Sequence, residues 1–177
     1  QMEAAADNEA ADAAHLRERL RELAQIAAHT LEQTRAICSR LRPAMLEDLG
    51  LQETLRWFVR DWSAKTGIAA TVRFAGLKEP VDGALGSTIF RMTQELLTNV
   101  ARHAAASQVR VLLSAARDGL RLHVADNGHG FDAQAPTPGF GLMGVRERAR
   151  SHGGQMLVKS GSRGTVVTVR GLAVVTG

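Results

Sequence analysis

The pattern of apolar residues changes period partway along this chain, and that change limits the folds open to it. Beyond about residue 105, Val109, Val111 and Leu113 recur at every second position, as do Leu120, Leu122 and Val124, with Ala116-Arg117-Asp118-Gly119 between the two runs. Period two with a Gly-containing turn is the mark of a β-hairpin with one buried face. Met156 to Lys159 and Thr165 to Val169 form a second such pair around Ser160-Gly161-Ser162-Arg163-Gly164. A sheet apolar on one face needs a cover, and the earlier half supplies helices. Leu51, Leu55, Phe58 and Trp62 share one face of a helix expected over Leu51–Lys65, which Gly67 stops. Leu85, Ile89, Met92, Leu96 and Val100 share one face of another, capped by Asp82 and running to about Ala104. Thr71 to Phe74 reads as a short strand. Leu142 to Ser151 reads as a short helix that His152-Gly153-Gly154 closes. The fold class is therefore α+β, in two layers, with a mixed or antiparallel sheet.

A separate element precedes this. From Ala11 to Leu41, the residues Leu16, Leu20, Leu23, Ala27, Thr30, Thr34, Ile37 and Leu41 step alternately by four and three, a heptad seam. Ala24, Leu31 and Cys38 widen it, so the helix needs a partner, in a helical hairpin or a dimeric bundle. Pro43 ends it. The expected division is residues 1–44, a bundle helix, and residues 45–177, the α+β domain.

Composition narrows the function. At 45% hydrophobic and 23% charged residues, the 177-residue chain reads as soluble and large enough for a core. No apolar run is long enough to span a bilayer, and the start does not read as a signal peptide. A single cysteine, Cys38, permits no internal disulfide and suits a reducing compartment, the cytoplasm. The net charge of +4 leaves nucleic acid as a possible partner, but aromatics are 4% and tyrosine is absent, which argues against stacking platforms.

Three polar groups border the stripe of the helix after Asp82. Glu95, Asn99 and His103 follow one another at intervals of four, and so stack along one flank. They can be a solvated border. As an aligned set in the same domain as a Gly-rich segment they read instead as a shelf for Mg²⁺, which takes a few oxygen ligands from protein and the rest from water and phosphate. His103 suits a phosphate contact or the negative end of the helix. Asp126 lies where the strand Leu120 to Val124 leaves the sheet, in Asp126-Asn127-Gly128-His129-Gly130-Phe131. By itself this is a common turn. A carboxylate there could also accept from the exocyclic amine of adenine, with Gly128 and Gly130 leaving room for a flat base. Gly139, Gly141 and Gly144 spell Gly-x-Gly-x-x-Gly. No strand precedes them, so they are not a dinucleotide fingerprint, and no Gly-Lys-Ser/Thr makes a P-loop. They open a helix, whose free N–H groups make an anion site. Arg146 and Arg148 add charge there or are solvated.

The order of these motifs is similar to that in a known family. Gln94 to Ala104, then Asp126 to Asp132, then Gly139 to Ala149, then Gly161 to Val169 resembles the ATP-binding domain of bacterial two-component sensor histidine kinases. That domain shares its group with gyrase, Hsp90 and mismatch-repair ATPases. The stretch Leu41 to Ile68 resembles the nitrate-sensor and membrane-thermosensor subfamily. The resemblance implies a two-layer α/β sandwich of the Bergerat type preceded by the second helix of a dimerisation bundle. It implies ATP and Mg²⁺ as ligands, a response regulator as partner, and a homodimer formed through the bundle. A cytoplasmic location follows from it too, any membrane attachment being through segments missing here.

Residue by residue, the resemblance implies that Asn99 and Glu95 hold Mg²⁺ and serve catalysis, with His103 beside the phosphates. It implies that Asp126 reads adenine with Gly128 and Gly130. It places Gly139, Gly141, Leu142, Gly144 and Val145 on the phosphate side of the lid, and Thr165 behind the base. The family's phosphoacceptor lies on the first bundle helix, in a His-Asp/Glu context. Here His15 is followed by Leu-Arg-Glu and His29 by Thr-Leu-Glu. Neither fits, so the expectation is a fragment that starts after its acceptor. The alternatives are a related ATPase in which Glu95 activates water, and an anti-sigma-like regulatory module on the same fold.

Overall fold

A computed structural model describes Arg19, residues 46–132 and residues 141–173. The chain divides into two units, Gln1–Ala44 and Met45–Gly177. The heptad helix of the first lies outside the described residues, apart from Arg19, which is helical and exposed. The second unit holds all the other described residues.

Its first helix, α1, occupies residues 46–66. The chain passes through Gly50 at φ 73°, a left-handed conformation that favours glycine. The sequence predicts a helix over Leu51–Lys65; the observed one begins five residues earlier and ends one residue later. Leu51, Leu55, Val59 and Trp62 are buried on one face. Phe58 meets Phe90 edge-on, with ring centroids 5.2 Å apart, tying α1 to the next helix. Strand β1 is Ala69–Ala75, longer at both ends than its apolar pattern suggests.

Helix α2 is Gly83–Asn99, and Asp82 caps it, its side chain accepting from Ala84 N at 2.9 Å and Leu85 N at 3.3 Å. The sequence predicts one regular helix to about Ala104. Instead the regular turn ends at Asn99 and Val100–Ala104 form a π-helix, closed by Ala105 in the left-handed region at φ 49°. The rest of the domain comprises β2 Gln108–Ala116, β3 Gly119–Asp126, α3 Gly141–Arg150, β4 Gln155–Gly161 and β5 Gly164–Leu172.

The five strands form one sheet in the order β1-β2-β3-β5-β4. β1 and β2 are parallel, joined by α2 as a crossover, and the other pairs are antiparallel. The sheet is mixed and the domain α+β, as expected. Its core face carries Val109, Val111, Leu113, Leu122, Val124, Val167 and Val169, all buried, under the stripes of the three helices. Leu55, Ile89 and Leu97 are fully excluded from solvent. Each such side chain stabilises the fold by about 1.5–3 kcal/mol relative to exposure. This packing brings the end of β3, the start of β5, the end of the π-turn and the start of α3 to one edge of the domain.

Candidate functional site

Asp126 closes β3, beside Val109 at the start of β2 and next to β5. Its Oδ1 accepts two backbone N–H groups, from Gly128 at 2.9 Å and from Thr165 at 3.2 Å. Two donors hold the carboxylate plane still. Among the described residues Oδ2 is bonded to nothing, so it can accept one more hydrogen bond.

The loop after Asp126 is pinned against the π-turn. His129 N donates to Ala104 O at 3.0 Å. A Cβ on Gly128 would lie 2.1 Å from that same carbonyl oxygen, so nothing larger than glycine fits. A Cβ on Gly130, at φ 65°, would lie 2.2 Å from Gly161 O. These glycines are needed for close approach of backbone to backbone, which the sequence alone attributed to room for a base. Asn127 secures the loop on its other side: its Oδ1 accepts from Ser107 N at 3.0 Å and Gln108 N at 2.8 Å.

Thr165 sits directly opposite Ser160 across the β4–β5 pair, and their hydroxyl oxygens are 2.9 Å apart. Phe131 N donates to Ser160 Oγ at 2.8 Å. The strand that carries Asp126, the loop after it and the second hairpin are thus linked through Thr165 and Ser160. Sequence reasoning did not single out Ser160 or Asn127. For Ser160 a signal exists: counting back evenly from the Gly161–Gly164 turn pairs it with Thr165.

Glu95 and Asn99 are both half-buried on the last two turns of α2. The first residue of α3 abuts them: a Cβ on Gly141 would lie 2.5 Å from Glu95 Oε1 and 3.2 Å from Asn99 Oδ1. Carboxylate, amide and the N-terminal turn of α3 therefore meet at one point, where free helix N–H groups favour an anion. A Cβ on Gly144, in the same turn, would be 2.9 Å from Arg148 Nη1, so Arg148 folds back over that glycine. Leu142 is half-buried against the core and Val145 is fully buried in it. Val145 therefore turns its side chain to the core. His103 is exposed, on the π-turn. The change of helical period after Asn99 takes it off the line of Glu95 and Asn99, where the expected regular helix would have stacked all three. Gly139 lies outside the described residues.

Among the described residues no three His, Cys, Asp or Glu side chains converge to hold a metal ion. The oxygens of Glu95 and Asn99 make a smaller donor set, which suits a hard cation that keeps most of its ligands from water and phosphate.

This fold and this edge define a class, nucleotide-binding domains in which a clamped aspartate ends a strand and a glycine-opened helix abuts the polar flank of its neighbour. Residues 85–173 match the family described as histidine kinase-, DNA gyrase B- and HSP90-like ATPase. The chain belongs to that family, and the matched region is its ATP-binding domain. Curated relatives include the signal transduction histidine-protein kinase/phosphatase DegS of Brevibacillus brevis, 33% identical over 80% of this chain and 37% of the relative. The sensor histidine kinase LiaS of Bacillus subtilis is 34% identical over 86% of this chain and 42% of the relative. The chain thus spans about two-fifths of the length of these relatives. The ATP-binding domain of PrrB from Mycobacterium tuberculosis shares the fold, with a TM-score of 0.54 at 18% identity over 67% of this chain and 90% of that one. So does the histidine kinase domain of a blue-light activated kinase from Erythrobacter litoralis EL346, with a TM-score of 0.55 at 23% identity over 67% and 63%. Among the described residues no helix is long and apolar enough to cross a membrane.

Proposed function

We propose that this chain is the catalytic part of a sensor histidine kinase, which transfers the γ-phosphate of ATP to a histidine for relay to a response regulator. The observation that carries the reading is the pairing of two half-sites at one edge: Asp126, with one oxygen held and one free, and Glu95 with Asn99 against the opening turn of α3. Asp126 Oδ2 accepts from the exocyclic amine of adenine. Gly128 and Gly130 hold the loop close, and Thr165 backs the base. The N–H groups of α3 from Gly141 to Gly144, with Leu142 beside them, receive the phosphates, and His103 is within the same edge. Glu95 and Asn99 would hold Mg²⁺, which supplies neutralisation of phosphate charge. Catalysis by these residues is positioning and charge compensation, and the phosphate–oxygen bond to the leaving ADP breaks as the bond to an imidazole nitrogen forms.

The acceptor is proposed to lie in sequence that this chain does not contain, since neither His15 nor His29 stands in an acceptor context. The intact protein is proposed to be a cytoplasmic-facing homodimer joined through a bundle to which residues 1–44 contribute a helix. Titration with a fluorescent ATP analogue, with and without Mg²⁺, tests the site. Asn99→Ala should remove the Mg²⁺-dependent part of the affinity and leave the rest. Equal Mg²⁺ dependence in wild type and variant would sink the metal assignment. Steady phosphate release without any histidine acceptor would favour a water-activating ATPase over a kinase.

A further inference from the structure

The three helices cover one face of the sheet, and the other face has a composition that nucleotide binding does not explain. Strand alternation assigns its residues, because Val109, Val111 and Leu113 are buried under the helices and Arg110, Leu112 and Ser114 must point the opposite way. A row crosses all five strands there: Arg73, Leu112, His123, Thr168 and Leu157, each opposite the next. Arg110 and Lys159 lie in the row on one side, and Arg121 and Arg170 lie toward the other end of the strands. Among the described residues this face carries five cationic side chains, Arg73, Arg110, Arg121, Lys159 and Arg170, and no carboxylate. None of the five is in an ion pair with a described residue. Among the described residues Arg170 donates to Gln155 Oε1, at 3.4 Å. Burial and the charges of Arg110 and Arg121 together hold the His123 imidazole below its usual pKa, the sign expected of a positive local field.

Three kinds of partner could answer such a face. Single-stranded nucleic acid needs aromatic platforms, and the outward positions of the five strands hold none. A protein interface wants an apolar centre, and here the large apolar side chains at outward positions are Leu112, which is half-buried, Leu157 and Val166, with only alanines (Ala69, Ala75, Ala116 and Ala125) besides. A bilayer of anionic lipid asks for neither shape nor an apolar centre. It answers cations spread over an open surface, through an attraction that reaches about one screening length. We propose that the open face of the sheet, through Arg73, Arg110, Arg121, Lys159 and Arg170, docks on an anionic lipid surface. This goes beyond nucleotide binding and does not compete with it, because the nucleotide site lies at the sheet's end on the helical side.

Co-sedimentation of the full chain with vesicles tests this. One set is phosphatidylcholine alone, and the other holds about one third phosphatidylserine, a typical strongly anionic surface. The expected result is binding to the anionic set only, lost as salt shortens the screening length from about 10 Å at 0.1 M to about 3 Å at 1 M. At about fivefold per cation removed near such a surface, Arg110→Gln with Arg121→Gln should weaken binding on the order of 25-fold. The same variant should bind the ATP analogue as wild type does, which shows that it is folded. Equal binding to both vesicle sets overturns the proposal. So does vesicle binding unchanged in the double variant, which would assign it to another part of the chain. Binding of duplex DNA or of an acidic peptide at concentrations where anionic vesicles do not bind would also overturn it.

Discussion

Substitution of Asp126 by asparagine separates two jobs that one carboxylate does. Oδ1 accepts from Gly128 N and Thr165 N, at 2.9 and 3.2 Å, and so holds the loop and the start of β5 in place. Oδ2 is the atom assigned to the adenine amine. Asparagine keeps the oxygen that faces two donors, because turning the amide over would set NH₂ against both N–H groups. Its NH₂ then replaces Oδ2 and meets the adenine amine donor to donor. A hydrogen bond to a charged acceptor contributes about 1.5–3 kcal/mol. Its loss lowers affinity on the order of 10- to 150-fold. Stability should barely change, since both backbone donors stay satisfied. Asp126→Ala should do more. It leaves two N–H groups without their acceptor, Gly128 being buried, at about 1–3 kcal/mol for each left unsatisfied. The assay pairs analogue titration with urea unfolding of both variants. Asparagine binding within a factor of about two of wild type, where the bond's loss should cost at least tenfold, would refute the adenine assignment. An asparagine variant as unstable as the alanine one would refute the division of labour between the two oxygens.

Other substitutions probe the same geometry. Gly128→Ala sets a methyl 2.1 Å from the Ala104 carbonyl, a backbone atom that cannot step aside, and should cost about 1–3 kcal/mol in urea unfolding. Gly141→Ala meets the movable end of the Glu95 side chain at 2.5 Å, so it should leave stability nearly unchanged and weaken Mg²⁺-dependent binding. Asp82→Ala removes the cap of α2 and should lower stability by about 1 kcal/mol, with nucleotide affinity retained. The His123 pKa lies below its usual 6.5 in the folded protein, so between 6.5 and that lower value the unfolded chain binds the proton and the native protein does not. Stability should therefore fall as pH drops through that window. His123→Gln should flatten that part of the unfolding profile.

Much of this was legible in the sequence because it rests on local rules. Period two marks β2 and β3, and period three to four marks the stripes of α1 and α2, since each element must turn one face inward. Asp82 announces a helix start by residue type and position. The partners of Glu95, Asn99 and Asp126 were less accessible, since the register between β3 and β5 and the approach of α3 to α2 join residues far apart in the chain. The π-turn at Val100–Ala104 gave no sign in the apolar pattern, because Val100 and Ala104 stay buried at a spacing that a regular helix also allows.

By itself, then, the sequence determined the kinds of element, their order and which residues face the core, because those depend on side-chain polarity and backbone preference within a few residues. Apart from the helix cap at Asp82, tertiary structure decided what the polar residues do. Asn127 and Ser160 were unremarked until the loop and the hairpin came together around them, and His103 left the line of Glu95 and Asn99 when the helix changed period. The open face of the sheet became a single cationic surface only when five strands were set in register, which placed arginines distant in sequence side by side.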